Sequence, residues 1–321
     1  MKPKVVNLVV SCTARKTQRT PTLLRIRHVR KDNLAARFED WWGRIESATV
    51  KRQKALDLYC GNSWSAVKSC FSDPAIRAHL RLWIVSAGHG LISSEDMLVP
   101  YGATFASGEA DSVIPSNLAA HKLTDWWEMM VKKKRRQGIK VASIADIVSK
   151  HPGETVLVAL SKDYFKAISS DLLAAREKMK DRNRFVIIAV GAQKDGPLAE
   201  NFLPCDSRME HCLGRSRMAI NPRILKYVLA NFSPAELRME VLKAHFETLM
   251  RHLPKATYPK RKKATDLDVS KFIVNSLAAN SAISYTDLLR KYRFSGIACE
   301  QKRFRGLFCA AKIEMKARKV L

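Results

Sequence analysis

Along its first 250 residues the chain alternates short apolar runs with stretches whose apolar residues recur at helical spacing. Lys4 to Val10 (KVVNLVV), Leu82 to Val85 (LWIV), Thr155 to Leu160 (TVLVAL) and Phe185 to Val190 (FVIIAV) read as buried strands. Helices are predicted over Asn33–Arg52, with Leu34, Phe38, Trp41, Trp42 and Ile45 on one face, and over Pro115–Val131, Asp163–Lys180 and Pro222–Phe232. Ser233-Pro234-Ala235-Glu236 has the cap, first-turn proline and glutamate that open another. This rhythm predicts an α/β fold, a mostly parallel central sheet flanked by helices. The Trp41-Trp42 and Trp126-Trp127 pairs are assigned to its core.

Beyond residue 250 the pattern changes. Arg251 to Ala264 carries six Lys/Arg, two prolines and no acid, the composition of a basic linker. Helical spacing returns with Val269, Phe272, Ile273 and Leu277, then Tyr285–Tyr292, then Cys299–Ile313. The division is therefore an α/β domain over 1–250, a linker over 251–264 and a helical, helix-turn-helix-like module over 265–321.

Charge sharpens the picture. The chain has 57 Lys and Arg against 30 Asp and Glu, a net charge of +27. Such an excess selects a polyanionic partner, nucleic acid ahead of an anionic membrane surface. Ala14 to Lys31 holds seven Lys/Arg and no acid. Arg15 and Arg19 there, Lys260, Arg261, Lys262 and Lys263 in the linker, and Lys302, Arg303 and Arg305 on the last helix are the expected phosphate contacts. No apolar run approaches the roughly 18 residues of a spanning helix. Seven scattered cysteines without a C-x-x-C suggest a reducing, cytoplasmic setting. Cys205, His211 and Cys212 fit no familiar zinc spacing, so neither metal nor cofactor is expected.

The candidate chemistry gathers around Leu82 to Tyr101. Its apolar run stops at Ser86-Ala87-Gly88, followed by His89 and Gly90, and loops beyond strand ends bind ligands in open α/β sheets. Tyr59 and Trp64 flank Cys60-Gly61-Asn62-Ser63, a turn suited to bracketing a flat ring while Asn62 reads its edge. The alternative is a loop plugged by its own aromatics.

Ser11-Cys12-Thr13-x-x-Lys16, Leu58-Tyr59-x-Gly61-x-x-Trp64 and Val85-Ser86-Ala87-x-x-Gly90-Leu91 with Pro100-Tyr101-x-x-Thr104 together resemble the YaaA-like domains, over roughly residues 4–230. That family has a fold similar to uracil-DNA glycosylase and includes DNA-binding and defence-associated members. In domain, charge and size combined, the chain is also similar to anti-phage DNA glycosylases that remove glucosylated hydroxymethylcytosine. The resemblance implies excision of a modified base from phage DNA. On that reading Tyr59, Trp64 and Tyr101 wall the pocket, and Asn62, Ser86 and His89 read the base or stabilise it as it leaves. Cys12, Lys16, Arg215 and Asn221 line the same crevice. Asp206, beside arginines, is the first catalytic carboxylate, Asp96 the second and Asp195 the third. Two alternatives stand beside it: a DNA-binding stress protein without catalysis, and a transferase exchanging or modifying a base or nucleoside.

Overall fold

The computed structural model describes residues 5–192, 195–214, 217–254 and 262–317, excluding the side chains at 75, 302, 316 and 317. The chain divides into two compact units, 1–255 and 256–321. Among the described residues no helix is long and apolar enough to cross a membrane.

The first unit is α/β. Its five strands, β1 (Val6–Ser11), β2 (Leu80–Ser86), β3 (Gly90–Ser93), β4 (Thr155–Ala159) and β5 (Phe185–Ile188), lie in the order β3-β2-β1-β4-β5. All pairings are parallel except the β2–β3 hairpin. β4 and β5 are buried along their whole length, and β1 up to its last residue, which is why their sequences are mostly apolar on both faces. Successive strands extend the sheet to one side of β1, then return to build the other. The order therefore reverses between β1 and β4, and the crevice outside such a reversal is where doubly wound sheets hold ligands.

The principal helices of this unit are α1 (Leu34–Glu46), α2 (Asn62–Ser69), α3 (Leu123–Arg136), α4 (Ile144–Lys150), α5 (Lys162–Ala167), α6 (Ser169–Glu177), α7 (Ile220–Asn231) and α8 (Met239–His252). Asn33 caps α1, its side-chain oxygen accepting from Ala35 N and Ala36 N. Both tryptophan pairs are core, and two of the four indoles also hold the β2–β3 turn. Trp41 donates to Gly88 O at 3.0 Å and Trp126 to Ala87 O at 2.9 Å.

Some expected elements shift. The helix expected from Pro115 begins at Leu123, because Asp125 accepts from Lys122 N and sets the N-terminus there. The helix expected over 163–180 is two, broken at the fully buried Ile168. Ser233 and Glu236 do bond each other, but they close a turn, and α8 starts at Met239.

The second unit contains α9 (Asp266–Ala279), α10 (Tyr285–Phe294) and α11 (Gln301–Ala317) around Val269, Ile273, Leu277, Leu288, Tyr292, Phe304 and Phe308. Lys262–Lys263 pairs in parallel with Ile297–Ala298, so the end of the expected linker is a strand of this module.

Candidate active site

The reversal between β1 and β4 is bridged by side chains. Ser11 Oγ, closing β1, accepts from Ser161 N just past β4 at 3.1 Å. Cys12 N donates to Val85 O, keeping the next residue in step with β2. Cys12 Sγ then lies 3.2 Å from Tyr164 Oη on α5. A thiol and a phenol therefore close the point where the strand order turns back.

Past Cys12 the chain runs beside the 58–60 turn. Thr17 N donates to Leu58 O and Cys60 N to Arg15 O, which sets Lys16 opposite Tyr59. Lys16 folds back so that its Nζ donates to Thr13 O at 2.9 Å and stands 4.1 Å from the Tyr101 ring centre and 5.3 Å from that of Tyr59. Burial lowers its pKa, partly offset by Cys12 and Asp111.

Tyr101 is the hub. Its Oη lies 2.6 Å from Ser86 Oγ and 2.8 Å from Tyr59 Oη, a chain of three buried hydroxyls. Ser86 Oγ also accepts from Gly88 N and His89 N. The close approach of Tyr101 requires Gly88, since a Cβ there would lie 2.4 Å from the ring. Burial raises the pKa of Tyr59, Tyr101 and Tyr164 well above the ordinary phenol range, so all three keep their protons.

His89 packs on the edge of Tyr101, ring centres 4.8 Å apart. Burial first, then the cations of Lys134 and Lys16, push its pKa down to about 3. It is neutral near pH 7, so any help it gives a departing base comes from the one N–H of a neutral imidazole and not from an imidazolium. Its Nε2 is buried and unpartnered among the described residues.

Of the expected residues, Cys12, Lys16, Tyr59, Ser86 and Tyr101 come together, with His89 behind them. Tyr59 and Tyr101 are enclosed, so they form a closed cluster where an open pocket wall was expected. Trp64 is buried against Tyr59 and donates to Leu56 O, which makes it core. Asn62 is exposed at the start of α2 and accepts from Arg223. Asn221 ties the ends of β4 and β5, accepting from Val190 N at 2.9 Å and donating to Leu160 O at 2.7 Å. With both amide ends engaged, it positions the sheet edge.

Two of the three expected carboxylates, Asp206 and Asp96, are engaged by neighbours of their own. Asp206 is gripped by the Arg208 guanidinium at 2.9–3.1 Å, in a depression of about 510 Å³ shared with Glu247, Met250 and Arg251. Asp96 closes a turn by accepting from Ser93 N and Oγ. Asp195 is exposed ahead of the 3-10 helix Gly196–Asn201. The acid that acts on Lys16 is Asp111, held by Arg27 at 2.7 Å and Arg25 at 3.5 Å. Asp111 and Tyr164 escaped the sequence reading. Tyr164 follows TVLVAL as Cys12 follows β1, and that parallel was the available signal.

Among the expected DNA contacts, Arg15, Arg19, Lys262 and Lys263 are exposed. Arg305 is exposed, its guanidinium 5.5 Å from the Tyr285 ring centre. Arg303 is engaged within the module, donating to Asp266 at 2.6 Å and to Ala264 O at 2.9 Å. Arg215, Lys260 and Arg261, and the side chain of Lys302, lie outside the described residues. Among the described residues no group of three or more His, Cys, Asp or Glu is arranged to hold a metal ion. Compared with known proteins, the chain matches no family model, and no curated protein matches it.

Proposed function

We propose that the chain is a DNA glycosylase that extrudes a modified base and hydrolyses its N-glycosidic bond at the cluster of Cys12, Lys16, Tyr59, Ser86, Tyr101 and Tyr164. The observation that carries this reading is the placement of Lys16. An ammonium withdrawn onto two phenol faces stands by the switch point of a parallel sheet, in a chain of net charge +27.

Breaking an N-glycosidic bond leaves positive charge on the sugar and negative charge on the departing base. Lys16 meets the charge on the base in surroundings poor in water, where a fixed cation acts strongly. The Ser86–Tyr101–Tyr59 hydroxyls can donate hydrogen bonds to its heteroatoms. DNA phosphates stabilise the charge on the sugar while water adds at C1′ and its proton passes to the departing base; Asp111, held by Arg27 and Arg25, acts on the Lys16 ammonium. The base enters when the half-buried Lys16 side chain lifts from Tyr101 and leaves a ring face for stacking. The substrate suggested by the YaaA-like resemblance is phage DNA carrying a modified cytosine such as glucosylated hydroxymethylcytosine.

A second reading, DNA binding without catalysis, draws on the closed state of the cluster, whose hydroxyls satisfy one another. The test is to incubate purified protein with modified and unmodified phage DNA, then measure alkali-dependent strand breaks and free base by mass spectrometry. Excision gives both products on modified DNA. Their absence from every modified DNA tried leaves the non-catalytic reading.

A further inference from the structure

Phe294, the last residue of α10, is 94% exposed although the module has a filled aromatic core in Tyr292, Phe304 and Phe308. A lone exposed apolar residue is ordinary. Its setting is not. Phe294 borders a shallow notch of about 310 Å³ lined also by Thr286, Leu289, Arg290, Arg293 and Gln301. Leu289 and Phe294 give it apolar surface, two guanidinium groups a cationic rim, and Thr286 and Gln301 hydrogen-bonding groups. Arg293 donates to Cys299 O at 2.8 and 3.2 Å, which fixes its plane, while Arg290 donates to Asp287 and stays largely exposed.

We infer that this notch takes an unpaired base of a nucleic-acid strand, stacked on Phe294, with Arg290 and Arg293 at the flanking phosphates. Charge selects the occupant, since residues 256–321 carry fifteen Lys/Arg against five Asp/Glu. The combination of parts selects the base. An aromatic face stacks on any base, guanidinium groups bind phosphate, and an amide with a hydroxyl reads a base edge. Both Arg290 and Arg303 pair with an acid, but Arg290 is 79% exposed against 35% for Arg303, which favours the end of α10 over the first turn of α11 as the contact surface. The inference rests on nucleic acid being the partner and is independent of base excision.

The test uses the full chain and its Phe294→Ala and Phe294→Trp variants. The probes are single-stranded DNA and RNA containing 2-aminopurine, and a duplex DNA with one unpaired 2-aminopurine. Wild type and Phe294→Trp should quench the fluorophore on binding. Phe294→Ala should lose the quench and bind roughly five- to a hundredfold more weakly, the worth of one stacked base. Its salt dependence should not change, because no charge is removed. The DNA and RNA arms show which strand is preferred. Undiminished quenching and affinity in Phe294→Ala would overturn the inference. So would a loss of self-association in that variant, by sedimentation, with nucleic-acid binding intact. Failure of excision in the wild type leaves these readouts unaffected.

Discussion

His89 shows how far environment outweighs residue type. Its position after β2 suggested a group at the base, and burial holds its pKa near 3 against an ordinary 6.5. Between those values the unfolded chain binds a proton that the native chain refuses, so stability falls as pH drops through that window. His89→Gln removes this term, and wild type should lose its urea midpoint more steeply than the variant between about pH 6.5 and 3. Parallel loss in the two proteins would mean that the imidazole is not held neutral. Cys12, Lys16, Ser86 and Tyr101 were legible because each follows a strand or the loop after one, and parallel strands deliver such residues to one edge. Asp206 misled for a physical reason. Arginines near an acid in sequence do not reveal whether they await a ligand or bind the acid themselves, and Arg208 binds it.

Elements were legible where burial is two-sided. β1, β4 and β5 read as continuous apolar runs because helices or loops cover both faces. Element ends were less so, since tertiary bonds fix them, as with Asp125 at the start of α3. Within the acid-containing segment 107–116, residues 112 and 113 are held by α1. Arg37 of α1, 4% exposed, donates to Val113 O at 3.1 Å, Ser112 O at 3.2 Å and Ile26 O at 3.1 Å, and also to Val29 O. That clamp carries Asp111 toward Lys16. Arg37→Met takes this donor from Val113 O, Ser112 O and Val29 O, while Ile26 O keeps Val29 N, and should cost about 3 kcal/mol or more, read by urea denaturation. It should also speed proteolysis within 104–113. An unchanged midpoint and cleavage pattern would show that the clamp is dispensable.

For the whole molecule, the charge of +27 was plain in composition but its distribution was not. Arg25 and Arg27 serve Asp111, Arg208 serves Asp206 and Arg303 serves Asp266, which occupies cations that a sequence count assigns to phosphate. Lys16 is the extreme case, a cation of the basic arm that faces aromatic rings. Lys16→Met keeps an apolar stem on Tyr101 and removes only the charge. The decisive measurement is single-turnover release of the modified base from duplex DNA by wild type and Lys16→Met, with affinity measured on the same samples. The account predicts nearly equal affinity and excision slowed about a hundredfold, as expected for a lost cation at the departing base. Equal excision rates in the two proteins would contradict it.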